Sequence, residues 1–338
     1  MYNILCELRV KWFYQNQSLT LWIESQSKVK KMDWQLFLIE LYTEVEDAYR
    51  KELVYHCQKM SNNTDKLVVN FSDTELITVF LFGIIKKRHE IKEIHGYIDE
   101  HWRSWFPHLP SYKNFVVRLN NLHAIFPVLL NRLSNRFTVP EWLLGSLQDG
   151  KIEAVTDTMP IVMAQGTRSY SAKVALDIAN RGYCSTKKLT YHGLKLSFLG
   201  IFIPKQLPKP RNLILSPAAD SDITLFKDHI APTLCDMRVF ADKIYNDDTL
   251  EADLKKYQNV ELLPIQKRNR GQSILHADDQ LFNTMKSQCR QPVESFFNWI
   301  EQKTGIQSAS KVRSTKGAYI HVWGRLTALF FIILLLNP

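Results

Sequence analysis

Ile152-Glu-Ala-Val-Thr-Asp157-Thr-Met-Pro-Ile-Val-Met163 is the stretch on which the fold turns. It is short, rich in apolar and β-branched residues, and preceded by the turn pair Asp149-Gly150. That combination reads as a β-strand. Before Gly150 the apolar residues recur every three or four positions. After it they come in short runs bounded by turns. Asp157 ends the apolar-flanked run Lys151-Ile-Glu-Ala-Val-Thr-Asp157 and reads as a strand-end aspartate, a carboxylate on a rigid support. Two more acids have comparable settings: Asp242 closes Met237-Arg-Val-Phe-Ala-Asp, and Glu294 opens the helical run Val-Glu-Ser-Phe-Phe-Asn-Trp-Ile300.

Outward from the first strand, further elements follow in order. Tyr191–Ile203 alternates Leu194, Leu196 and Phe198 against Lys195 and Ser197 and reads as a second strand, with Asn212–Ser216 as a third. Asp222–Ile230 reads as a helix, Met237–Ala241 as a fourth strand, residues 249–257 as a helix and Val260–Ile265 as a fifth strand. A helix at 293–303 and an apolar C-terminal segment follow. Three strands, helix, strand, helix, strand and then helices is the order of a ribonuclease H-like core. The expected fold class is therefore α/β, a mixed five-stranded sheet flanked by helices and occupying residues 149–338.

Residues 32–148 read as an all-helical unit. Asp33 precedes a periodic run through Leu36, Leu38, Ile39 and Leu41. Ser72-Asp-Thr-Glu75 is a capping box, and Ser111 starts a helix through Phe115, Leu119, Leu122 and Phe126. Between them Ile91, Ile94, Ile98, Trp102 and Trp105 mark another helix, broken at Pro107 and Pro110. Such helices form a helix-turn-helix-like unit or a purely structural bundle. Residues 1–31 lack a clear period, and we read them as an upstream extension, with translation starting at Met32.

The chain has 338 residues and a formal charge of +9. Residues 1–150 carry 18 basic and 17 acidic side chains, and residues 151–338 carry 25 and 17. The excess lies in the half that holds the three acids. A basic surface around an acidic centre suits a polyanion handled with metal ions; a basic face that serves only solubility gives the same count. The five cysteines are widely spaced and form no C-x-x-C pair, which fits a reducing compartment. The apolar run Ala328–Leu336 is shorter than a bilayer span, so a buried terminal helix or strand is expected and no membrane association.

Two strand-borne aspartates and a helix glutamate are an oxygen-only ligand set. Magnesium takes oxygen ligands, and two such ions can activate the attacking oxygen and relieve charge on the leaving one in phosphodiester chemistry. With 17 carboxylates in this half of the chain, some triple in this order is inevitable, and a strand-end Asp is often only a turn former. The neighbours of the three acids carry the further weight.

Val155-Thr-Asp157-Thr-Met-Pro, His192-Gly-Leu-Lys195-Leu, Ser216-Pro-Ala-Ala-Asp-Ser-Asp222, Phe240-Ala-Asp242-Lys243-Ile-Tyr245 and Arg290-Gln-Pro-Val-Glu294 resemble, in order and spacing, successive blocks of the DDE transposases of bacterial insertion sequences. Phe71-Ser-Asp-Thr-Glu75 and Phe106-Pro-His-Leu-Pro-Ser-Tyr112 resemble the helical N-terminal part of the same proteins, so the resemblance runs from about residue 70 to the end. It implies Asp157, Asp242 and Glu294 as the catalytic and metal-binding triad, with two Mg2+ ions, or Mn2+ in their place. Arg290 matches an arginine that contacts DNA phosphate in some members. The implied partners are double-stranded DNA, at terminal inverted repeats and at the target, and a second copy of the chain in the synaptic complex. The implied location is cytoplasmic, at the nucleoid. Lys195, Lys243, Lys267, Arg268, Arg270, Lys311 and Arg313 are the other candidate DNA contacts. Two departures stand out: Ile244 where many relatives have Gly, and Glu301, with Lys303 nearby, where some have a basic residue. His192 either lies near the metals or fills a strand end, and Trp299 reads as core rather than as a base-stacking group. A decayed or domesticated DNA-binding protein without catalysis, and a ribonuclease H-like nuclease, are the alternatives.

Overall fold

A computed structural model of the protein describes residues 33–55, 70–136, 150–185, 187–265 and 277–336. The expected N-terminal extension, residues 1–31, lies outside them. Helix α1, Trp34–Ala48, starts where Asp33 accepts hydrogen bonds from the Gln35 and Leu36 amides. Helix α2, Asp73–Ile85, starts at the capping box: Ser72 Oγ accepts from Glu75 N, and the Glu75 carboxylate accepts from Ser72 N. Helices α3 (Ile91–His101), α4 (Tyr112–Asn121) and α5 (Ile125–Ser134) follow. Almost every residue of α2 is buried, which marks it as the centre of a helical layer rather than its wall.

The second half is mixed α/β around one six-stranded sheet. Its strands are β1 (Ile152–Gln165), β2 (Asn180–Cys184), β3 (Leu189–Ile201), β4 (Lys209–Pro217), β5 (Met237–Ala241) and β6 (Glu261–Pro264). The sequence predicts five strands; β2 is the addition. Asn180-Arg-Gly-Tyr-Cys has no alternation and a central glycine, so it carries no strand signal of its own. Pairing with the first half of β3 makes it a strand. The order is β2-β3-β1-β5-β6, with β4 on the second half of β3. β3 runs antiparallel to both β1 and β4, whereas β1, β5 and β6 are parallel. Parallel neighbours need crossovers. Helix α6 (Asp222–Leu225, widening into a π-turn at Phe226–Ile230) and helix α7 (Asp248–Gln258) supply them.

Alternation sends the two sheet faces into different cores. Met159, Ile161, Leu194, Leu196 and Phe198 join a large core shared with the N-terminal helices and the C-terminal half of the chain. Ala154, Leu199, Val239 and Ala241 join a smaller one with Phe226, Ile230 and Leu254 of the crossovers. Helix α8, Ala277–Thr304, lies on the first face, where Phe198 meets Phe296 with ring centroids 4.8 Å apart. The predicted stripe Val293, Phe296, Phe297 and Ile300 is buried.

Helix α9, Thr315–Leu335, is long and apolar enough to cross a membrane, with mean hydropathy 1.7, but 72% of that window is buried inside the fold. It packs against α2 and α5. Its one deep cation, Arg325, donates to the Thr304 carbonyl at the end of α8 (2.6 Å), to the His89 carbonyl before α3, and to His321 Nδ1 (3.2 Å). One guanidinium thus satisfies two backbone carbonyls from separate segments and a neighbouring imidazole where water is excluded. Burial lowers its pKa to about 10.

Candidate active site

The three acids reach one place by strand register and helix packing. β1 and β5 are parallel and pair Val155 with Phe240. Two residues further on each strand are Asp157 and Asp242. Equal register in a parallel pair puts both on the same face, the face that carries Phe240 and α8. β5 ends there, but β1 does not. Sequence places Asp157 at a strand end, whereas it is the sixth residue of a 14-residue strand. The strand continues because β3 still pairs with it through Gln165.

α8 brings the third acid. Sequence starts this helix near Pro292, as though the proline held the first turn. The described helix begins at Ala277, and Pro292 lies inside it. Its missing N–H and its ring remove the bond to the carbonyl of Gln288. The interruption falls between Arg290 and Glu294, the two residues that face the sheet edge.

Arg290 is the hub. Its Nη1 lies 3.4 Å from Asp157 Oδ2 and 3.8 Å from Asp242 Oδ1, and its Nη2 donates to Glu294 Oε1 at 2.8 Å. The two aspartate oxygens are therefore at most about 7 Å apart, the sum of those two distances. The Arg290 side chain is only 17% exposed, and Glu294, at 58%, is the most open of the group. Among the described residues no three carboxylate, thiol or imidazole groups lie close enough to grip a metal ion as they stand. The guanidinium stands among the three acids. A cation already held by three carboxylates is itself evidence of the donor set: all oxygen, anionic, and focused on one point. That chemistry fits a hard divalent ion in the place of Arg290.

Asp157 is perturbed by its surroundings. Burial pushes its carboxyl up to about 6, opposed by Arg290 and by the Thr158 amide that it accepts at 2.8 Å, and aided by the charges of Asp242 and Asp222. Asp222, at the start of α6, pairs with Lys195 at 2.6 Å, and Lys195 also donates to the Asp220 carbonyl at 2.7 Å. Sequence picks out Lys195 as a DNA contact. Here it is half-buried and neutralised, and Asp222 is the neighbour that reading passes over. The signal was present, since Asp222 ends one of the quoted blocks.

The other predicted residues are dispersed. Lys243 is exposed immediately after Asp242. Lys311 pairs with Glu90 at 3.6 Å, and exposed Arg313 donates to the carbonyls of Ser310 and Val312. Lys267, Arg268 and Arg270 lie outside the described residues. His192 is buried with Nε2 2.8 Å from the Val174 carbonyl, so it ties a loop to β3. Trp299 is half-buried and stacks on Phe296. Glu301 accepts the Gln307 amide at 2.7 Å and so serves the turn after α8, which leaves Glu294 as the helix acid at the cluster. Comparison with protein-family models, with curated proteins and with solved structures returns no match.

Proposed function

We propose that the chain is a DDE transposase: a two-metal enzyme that cleaves DNA at the ends of an insertion sequence and joins the freed ends to target DNA. The observation that carries the reading is the convergence of Asp157, Asp242 and Glu294 on one guanidinium. The strand order supports a ribonuclease H-like sheet, since three antiparallel strands are followed by two that run parallel to the first. Such a sheet places its acids where β1 and β5 lie side by side.

In this reading Asp157 and Asp242, with Glu294 from α8, would hold the metal ions. Bound magnesium supplies an activated oxygen nucleophile and charge relief on the leaving oxygen. Arg290, released from the acids, has the fork geometry to take a phosphate. In cleavage a water oxygen bonds to phosphorus and the bond to the 3′ oxygen breaks, leaving a 3′-OH and a 5′-phosphate. In joining that 3′-OH attacks a target phosphodiester, and the target's own 3′ oxygen leaves. The helices of residues 32–148 are assigned to the terminal inverted repeats, and a pair of chains to the synaptic complex.

The test is a strand-transfer assay with magnesium on DNA that carries the sequences flanking the gene. Joined products that vanish in Asp157→Asn and Asp242→Asn support the proposal. Cleavage without joining turns it into a nuclease. Salt-dependent binding without cleavage turns it into a DNA-binding protein that has lost catalysis.

A further inference from the structure

At the edge of the sheet, β2 and the turn after β4 enclose an open pocket of about 550 Å³, within the range of small-ligand sites. Its lining includes Tyr170, Arg181, Gly182, Tyr183, Thr190 and Lys195 and no acidic side chain. Two features set it apart from an ordinary surface hollow. Tyr170 and Tyr183 are 69% and 61% exposed. Arg181 is exposed and has no carboxylate partner among the described residues; its guanidinium lies over the Tyr170 ring, 4.5 Å from the centroid. Gly182 keeps the floor tight, because a Cβ there would come within 2.3 Å of the Ala218 carbonyl oxygen.

Exposed aromatic rings beside an unneutralised guanidinium are the parts that hold an unpaired nucleotide: a ring face for the base and a fork for the phosphate. A paired base hides both faces in its stack and cannot use the rings. One lining residue links the pocket to the acid cluster. Lys195 lines it and pairs with Asp222, whose charge Asp157 feels. On β3, Lys195 stands opposite Pro160, about 10 Å along the strand from Asp157 and on the alternate face, since Asp157 stands opposite Phe198.

We propose that this pocket seats an unpaired nucleotide of the DNA strand being processed, its base on Tyr170 or Tyr183 and its phosphate on Arg181. The proposal rests on the DNA reading above and adds a subsite to it. The occupant is single-stranded DNA at a frayed or nicked end, a few nucleotides from the acids.

Fluorescence anisotropy tests it with two labelled probes: a fully paired duplex and the same duplex with a short single-stranded overhang. Tyr170→Ala and Tyr183→Ala should weaken overhang binding about tenfold or more, as loss of a stacked base does, and leave duplex binding unchanged. Tyr170→Phe and Tyr183→Phe should keep it. Abasic sites in the overhang should weaken the wild type equally and the alanine variants no further. Arg181→Gln should lower the salt slope for the overhang by about one. Both rings are mostly exposed, so folding should persist, and a thermal melt verifies it. Equal loss on both probes, no loss, or recovery of wild-type affinity with an abasic overhang overturns the pocket. So does tighter binding of an RNA overhang than of the DNA one. If these variants behave as wild type while the wild type cleaves DNA with magnesium, only the pocket falls. If the wild type binds neither probe, the DNA reading falls and the pocket with it.

Discussion

Replacing Arg290 by glutamine should make divalent metal bind more tightly. The guanidinium lies 3.4 Å from Asp157, 3.8 Å from Asp242 and 2.8 Å from Glu294, so under the proposed function it stands where a metal ion would bind. At an effective dielectric of about 20 a charge pair at 4 Å is worth about 4 kcal/mol before desolvation. The net effect of an arginine on a neighbouring carboxylate is smaller, a fall of about 1–3 pKa units or about 1.4–4 kcal/mol. Removing it therefore has two consequences of opposite sign. Asp157, already pushed up to about 6 by burial, should rise by a further ~1–3 units, so that protons compete with metal near neutrality. At pH 9 that competition fades, and the missing cation dominates. Calorimetric titration with Mn2+ at pH 9 should give a dissociation constant at least tenfold lower for Arg290→Gln than for wild type, and a steeper loss of binding as pH falls to 6. Equal or weaker binding at pH 9 would refute the competition and show that Arg290 instead props the carboxylates in place.

Three further outcomes follow from the same geometry. Asp157 titrates near 6 in the fold and near 3.8 as an ordinary carboxyl. The unfolded chain therefore loses its proton first as pH rises, and stability falls between about pH 4 and 6, by up to ~3 kcal/mol for this group. Asp157→Asn should abolish that fall and melt later than wild type at pH 7, as urea titrations at pH 4.5 and 7 would show; an equal or lower midpoint at pH 7 contradicts it. Arg325→Met keeps the volume but strands the Thr304 and His89 carbonyls, at about 1–3 kcal/mol each, so chemical denaturation should show a loss of at least ~2 kcal/mol, and a neutral result would mean water replaces the guanidinium. Gly193→Ala sets a Cβ 2.0 Å from the Ile161 carbonyl oxygen; the β1–β3 pair must part, with a cost of about 1–3 kcal/mol or more, again read by denaturation.

Much of the fold can be read locally. Met237–Ala241 and the starts of α1 and α2 follow from alternation and caps, which act within a few residues. What cannot be read locally depends on pairing at a distance. β2 exists only through β3. Asp157 lies mid-strand because β3 extends β1 past the point where β5 stops. Pro292 resembles a helix start because proline is common there, whereas packing of Val293 and Phe296 on the sheet carries the helix through it. Of the site, the acids and Arg290 are visible as a spacing, including the i, i+4 pair Arg290–Glu294. Their meeting is not visible, since it rests on the Val155–Phe240 register. Tyr170, Arg181 and Tyr183 bear no motif; the close approach of Gly182 to Ala218 makes them neighbours of Lys195.

The central claim is that the clasp around Arg290 is a metal site. Crystals grown with Mn2+ and a short DNA duplex answer it through an anomalous difference map. The account predicts a peak between the Asp157 and Asp242 carboxylates, with Arg290 turned away from both and onto a phosphate. Arg290 still bridging the acids, with no peak between them at saturating Mn2+, would contradict it.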